Sequence, residues 1–186
     1  MAVTSSIRRW FGYAIVAVAA SAITAAALTW SSTVLAQANR SSVEARLKAI
    51  EDEKQIHDLL IEYGHDLDTR DYVAYGKLFA KNGTWDGSLG LHKGPEDITA
   101  MLAHPKSGRT PAPFDPKNVQ SFHLMTNFAI HVDGDRATAR SKWTFFTKSP
   151  DNKPAPNLSG DYEDTLIREG GQWKFLSRVA LHEIPS

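Results

Sequence analysis

The chain contains no cysteine. That excludes a disulfide, a thiolate nucleophile and any cysteine-held metal, and it permits an oxidising compartment without demanding one. Net charge is missing too: 21 basic residues balance 21 acidic ones, so there is no basic field of the kind that gathers nucleic acid. No internal repeat recurs. Apolar and charged fractions of 42% and 23% are those of an ordinary globular chain, which excludes collagen-like, coiled-coil and disordered classes. The seven histidines are scattered with no H-E-x-x-H pair, so no metal is expected. "GSLGLHKG" lacks the strand-to-helix setting of a dinucleotide loop and "DGSLG" lacks the G-x-S-x-G order of a nucleophile elbow, so no cofactor is expected either. What 186 residues then allow is one globular domain, large enough for a core and a pocket, with a short extension.

The extension is N-terminal. Arg8 and Arg9 precede an apolar run from Trp10 to Trp30, and "STVLAQANR" follows with Ala36-Gln37-Ala38 in the small-x-small order of a signal-peptidase site. Residues 1–38 therefore read as an export signal peptide, which makes the domain periplasmic or secreted. The run is also long enough to span a bilayer, so an uncleaved membrane anchor is the alternative. "RRWF" matches the twin-arginine motif in part, with Ile7 where that motif prefers Ser or Thr. Residues 39–43 make a short linker and residues 44–186 the domain.

Within the domain, helical spacing comes first. Ile50, Ile56, Leu60, Tyr63 and Leu67 recur at helical intervals between residues 43 and 69, and a shorter helix is expected over "DYVAYGKLFA", capped by Asp71. "NGTWDG" reads as a turn, and a third helix starts at Pro95, with Glu96 and Asp97 in its first turn. Four prolines make "HPKSGRTPAPFDPKN" a loop long enough to be a pocket rim. After it the period changes to two. Ala137, Ala139, Ser141 and Trp143 alternate with Arg136, Thr138, Arg140 and Lys142, "VDGD" and Gly170-Gly171 are hairpin turns, and "KSPDNKPAPN" is a break between strands. Helices followed by antiparallel strands give an α+β domain with helices on one face of a curved sheet.

One carboxylate sits awkwardly in this pattern. On the first helix Asp68 falls between Gly64 and Ile61, at the interior side, where a carboxylate needs a partner. Either it ends the helix and bonds locally to "TRD", or it reaches something across the fold, and Gly64 beside it leaves room on the inner face. A partner of the right chemistry stands in "SFHLMTNFAIHV". As a strand, this puts His123, Met125, Asn127 and Ala129 on one face and Phe122, Leu124, Thr126, Phe128 and Ile130 on the other. Histidine titrates near neutrality, and a carboxylate partner fixes its tautomer. On a late strand "DYED" places Tyr162 and Asp164 on one face and Asp161 and Glu163 on the other; either one member reaches the pocket or, the preferred reading, they are solvated edge charges.

The order "YGHDLDTRDYVAYGKLFAKNGTWDG", "GPEDI", "FHLMTN", "DGDRATARSKW" and "GDYEDTLIREGGQWKFLSR" resembles SnoaL-like proteins of the nuclear transport factor two-like (NTF2-like) superfamily, over nearly all of residues 44–184. It is most similar to members of the scytalone dehydratase, lindane dehydrochlorinase and bile-acid 7-alpha-dehydratase type. The resemblance implies a cone-shaped, curved antiparallel sheet with N-terminal helices packed on its concave face, a deep pocket between them, and a homodimer through the outer face. It implies an Asp–His dyad at Asp68 and His123, with Tyr63 five residues before the Asp as a hydroxyl donor. His182 stands where the bile-acid enzyme has an arginine, and Gly87 where scytalone dehydratase has its water-holding tyrosine, which does not support that activity. Trp85, Met125, Asn127, Trp143, Phe145 and His182 are the expected substrate contacts. The implied activity is a cofactor-free lyase or isomerase acting on a small hydrophobic, carbonyl-activated molecule. The alternative is a ligand-binding or dimerisation module of the same fold, whose cavity Met125, Trp143 or Phe145 would plug.

Overall fold

The computed structural model describes residue 37 and residues 39–105, 108 and 111–184. Of the expected export signal or anchor, residues 1–38, only residue 37 is among the described residues. Two compact units share the chain, Met1–Lys48 and Ala49–Ser186. In the first, the described residues are helical and exposed. No described helix is long and apolar enough to cross a membrane.

The second unit opens with α1, residues 49–69. Ile56, Leu60 and Tyr63, spaced one turn apart, are almost fully buried and bring the helix onto the core. Arg70, at φ 64, ends it in the left-handed conformation that stops many helices. Asp71 caps α2 (Tyr72–Lys77), its side chain accepting the Ala74 N–H at 2.9 Å. After α2 come β1 (Phe79–Asp86), β2 (His92–Lys93) and α3 (Gly94–Ala103), with Pro95 in the first turn of α3 and Ile98 and Met101 on its buried side. Four long strands follow: β3 (Ser121–Asp133), β4 (Arg136–Lys148), β5 (Pro154–Glu169) and β6 (Gln172–Ile184). The described part of the proline-rich segment is free of helix and strand.

All six strands form one sheet in the order β2-β1-β6-β5-β4-β3. The domain is α+β, with the sheet antiparallel except where β1 runs parallel to β6. Three expectations change here. The second helix stops at Lys77, because Phe79 and Ala80 turn into the core as the start of β1. "NGTWDG" lies mostly in that strand, held by pairing with β6 about ninety residues later in the chain. The alternation in β3 also breaks: a register shift between Thr126 and Ala129, with Asn127 at φ 56, adds one residue to the strand. An extra residue reverses every later side chain, so Phe128, Ile130 and Val132 pack on the core side together with Met125.

Candidate functional site

Asp68, in the last turn of α1, faces the start of β3. Its carboxylate accepts the backbone N–H of His123, 2.9 Å from Oδ2, and meets His123 Nδ1 at 2.6 Å from Oδ1. Of the two readings of Asp68, the structure shows the long-range one, to a partner 55 positions away. β3 is the edge of the sheet, so the His123 N–H that points away from β4 would otherwise lack a partner. A carboxylate only accepts, so Nδ1 carries a proton, and in the neutral ring Nε2 is the nitrogen with the lone pair. Phe145, opposite His123 on β4, packs its ring 4.7 Å from the imidazole.

His123 lines a cavity of about 260 Å³. Tyr63, Trp85, Trp143, Phe145 and His182 line it as well, and Trp143 and Phe145 form walls and not a plug. Met125 and Asn127 lie elsewhere. Met125 fills the space that Gly64 leaves on the helix: a Cβ built on Gly64 would lie 3.1 Å from the Met125 sulfur. Asn127 is exposed, because its bulge takes it out of the inward-facing row. Tyr162, a member of "DYED", reaches the cavity, and Tyr75, Leu102, Leu158 and Ala180, which the sequence did not single out, complete much of the wall. Strand register places them: Phe145 is opposite Leu158, Trp143 opposite Gly160, Gly160 opposite His182, and Tyr162 opposite Ala180. Gly160 is where the Trp143 ring comes down on the sheet; a Cβ there would lie 2.9 Å from that ring and 1.8 Å from the Leu181 carbonyl oxygen.

Beneath the cavity is a buried polar layer. Tyr75 donates its hydroxyl to Tyr63 at 2.8 Å, and Trp85 donates its indole N–H to the same oxygen at 3.0 Å. Arg178 is wholly buried, forms two 2.7 Å bonds to Asp164, and lies 3.8 Å from the Tyr63 ring centre and 4.2 Å from that of Tyr162. "DYED" is thus corrected: Tyr162 and Asp164 are core residues, and the charge of Asp164 is matched by an arginine on the next strand. Burial alone would lower the Arg178 pKa, but the Asp164 carboxylate outweighs it and holds the pKa above the ordinary value. Burial drives the Tyr75 and Tyr162 hydroxyls well above the usual phenol range.

Ser88 and Leu89 line both this cavity and a second one against α3. His92 spans from the Leu89 carbonyl (3.3 Å) to Asp97 (3.1 Å), tying that loop to α3. Arg70 donates to the carbonyls of Ala112 and Pro113, fastening the proline-rich segment to the end of α1. Among the described residues no cluster of His, Asp and Glu could hold a metal.

Known proteins resemble this architecture. An NTF2-like protein with a cystatin-like fold from Novosphingobium aromaticivorans is 22% identical, covers 77% of this chain and 90% of its own, and superposes with a TM-score of 0.63. LinA is 19% identical over 74% of this chain and 90% of its own, with a TM-score of 0.60. ActVI-ORFA from Streptomyces coelicolor is 24% identical over 70% of this chain and 96% of its own, with a TM-score of 0.58. Among curated proteins none matches. The SnoaL-like domain model matches residues 48–179, most of the chain, and the protein belongs to that family.

Proposed function

We propose that this chain is a lyase of the dehydratase type, or an isomerase, which works without a cofactor on a small apolar substrate activated by a carbonyl group. Family membership supports small-molecule binding or isomerase- or dehydratase-type chemistry. The observation that carries the finer reading is the 2.6 Å contact of His123 Nδ1 with Asp68 at the wall of the cavity. Nε2 takes a proton from the carbon beside the carbonyl, and the Asp68 carboxylate stabilises the imidazolium that forms. The electrons of the broken C–H bond move to the carbonyl oxygen. When they return, hydroxide leaves the next carbon and takes the proton from Nε2, so water departs and the imidazole is neutral again. Where no leaving group is present, the same proton returns to a different carbon and a double bond has migrated. Hydroxyls of the cluster at Tyr63 stabilise the oxyanion, while Trp85, Trp143, Phe145 and His182 contact the body of the substrate.

Incubating the protein with a library of β-hydroxy ketones, and following the absorbance of the conjugated product, tests this. Turnover by wild type and none by His123→Ala is expected. Ligands that bind both proteins equally and are never converted would leave a ligand-binding module in its place.

We also propose export and pairing. The sequence of residues 7–38 supports an exported, periplasmic or secreted protein, and mass spectrometry of the exported fraction is expected to find a new N-terminus at or near Asn39. Full-length protein recovered only from membranes would favour the anchor. Exposed Phe122, Leu124 and Leu181 on the outer sheet face support a homodimer, which sedimentation would show.

A further inference from the structure

His92 holds two acceptors with one ring. Nδ1 stands 3.1 Å from an Asp97 carboxylate oxygen, and Nε2 stands 3.3 Å from the Leu89 carbonyl oxygen. Neither a carboxylate nor a carbonyl can donate, so both contacts are hydrogen bonds only while the ring carries two protons. The imidazolium makes both, and charge-assisted bonds are roughly twice as strong as neutral ones. A neutral ring has one proton, which goes to the carboxylate as the stronger acceptor. The Nε2 lone pair then faces the lone pairs of the Leu89 oxygen, and an attraction becomes a repulsion.

What this bond holds is the turn at residues 87–91. Its Ser88 and Leu89 line both the cavity at His123 and the second cavity, of about 490 Å³, against α3. The turn has weak support of its own. It closes with a bond from the Gly90 N–H to the Gly87 carbonyl at 2.9 Å, Leu89 and Leu91 are about half exposed, and a Cβ on Gly90 would meet nothing within 4 Å. β2 is secured by other means: Trp85 pairs with His92 and Thr84 with Lys93, and the Lys93 N–H bonds to the second Asp97 oxygen at 2.9 Å. Loss of one proton from His92 therefore frees the turn and not the strand.

The charged and titratable groups around the ring are few. α3 supplies Asp97, while His104 at the end of α3 lines the same second cavity and Glu96 in its first turn is exposed. On β1 the cross-strand neighbour is the uncharged Trp85, and Asp86 and Lys93 alternate to the opposite face. The His92 side chain is largely covered, at 15% exposure.

We propose that His92 is a proton-operated latch on the wall between the two cavities. Doubly protonated, it fixes the turn at residues 87–91; on losing one proton, it releases the turn and opens the cavity at His123 toward the second one. Its control of access rests on reading the His123 cavity as the substrate site. Release goes with the same direction of pH that leaves a histidine base able to accept a proton, so the test reads the turn and ligand entry and not turnover.

Nitrogen-15 NMR observes both ends of the latch, the ring nitrogens of His92 and the amide order of Ser88, Leu89 and Gly90. Order parameters of about 0.85 are expected while His92 carries two protons, falling below about 0.6 once it has lost one. The midpoint of that loosening is expected to match the titration of His92 and not that of His104. His92→Gln, which has no titratable ring, is expected to give a turn whose order does not change between about pH 5 and about pH 8. His104→Gln is expected to keep the wild-type loosening. A wild-type turn equally ordered at both pH values, or a loosening that follows His104 or survives His92→Gln, overturns the latch. Should His92→Gln fail to fold, the two midpoints in wild type decide. Entry is read with 1-tetralone, a bicyclic ketone that stays neutral throughout, from the fluorescence of the cavity tryptophans. Its association is expected to be about tenfold faster at the higher pH in wild type, and equally fast at both in His92→Gln. Equal rates at both pH values in wild type overturn the control of access. If 1-tetralone binds at neither pH, that control falls together with the reading of the cavity as a ligand site. If both arms come out as expected and no substrate is converted, only the proposed catalysis falls and the latch stands.

Discussion

Asp68 holds His123 at two points, the backbone N–H at 2.9 Å and the ring Nδ1 at 2.6 Å, so one carboxylate secures both the strand edge and the imidazole. The two duties separate by mutation. His123→Ala removes the proposed base and is expected to lower kcat/KM by about 10²–10⁴. Asp68→Asn turns an N–H donor toward one of two donors, so activity is expected to fall as well. The double mutant should then be scarcely worse than His123→Ala, since groups that act as a unit are not additive. Independent, multiplicative losses would mean that Asp68 serves only the strand. Asp68→Ala also strands the His123 N–H and is expected to cost about 1–2 kcal/mol in urea unfolding.

The periodic parts of this fold were legible in the sequence. Ile56, Leu60 and Tyr63 are buried at helical spacing, and in β4 Ala137, Ala139, Ser141 and Trp143 are buried in strict alternation. The contact of Asp68 with His123 was legible because a carboxylate on the interior side of a helix needs a partner, and His123 has the chemistry of one. What stayed hidden depended on one-residue shifts. Counting back from the Gly170-Gly171 turn sets Asp164 opposite Ser177, and only a register shift between Thr165 and Leu166 brings Arg178 there. Asn127 conceals another such shift. Asparagine tolerates a positive φ better than most residues, and that was the one available signal. Non-local pairing hid β1, since Asn82 and Gly83 describe a turn until β6 is placed beside them.

Arg178 and Asp164 form a buried pair that neither can leave singly. Arg178→Met strands a carboxylate in the core and is expected to cost about 3–5 kcal/mol, as is Asp164→Leu, which strands the guanidinium. Replacing both together is expected to recover most of that loss. Urea denaturation of the two single mutants and the double mutant measures the coupling. Equal, additive losses would show that the pair is not a unit.

Two glycines are expected to respond differently to alanine. At Gly160 the added carbon meets the Leu181 carbonyl and the Trp143 ring, neither of which can yield, so Gly160→Ala should cost about 1–3 kcal/mol. At Gly64 the obstacle is the Met125 sulfur at the far part of a flexible side chain, and a helix interior favours alanine over glycine by about 1 kcal/mol. Gly64→Ala should therefore remain within about 1 kcal/mol of wild type. Thermal unfolding of both variants distinguishes a filled helix–strand contact at Gly64 from an open ligand space, which alanine would narrow.

Asp66, near the end of α1, is the carboxylate that burial disfavours. Burial is the main cause, with the neighbouring Glu62 and Asp71 charges adding to it, and they push its pKa up to about 6. One of its oxygens is buried without a hydrogen-bond partner among the described residues. A pKa raised on folding means that the folded protein binds this proton more tightly than the unfolded chain, so the stabilisation is complete below about pH 4 and disappears as pH rises through about 6. At pH 8 the folded state carries an ionised carboxylate in a poor site. Asp66→Asn keeps the shape and removes the titration. Its advantage over wild type is therefore expected to grow between pH 4 and pH 8, by on the order of 2 kcal/mol. Comparing the two proteins cancels the titration of the other carboxylates, and urea midpoints at several pH values supply the measurement. An advantage that is flat with pH, or that grows toward acid, would mean that Asp66 is ionised and well solvated in the folded protein.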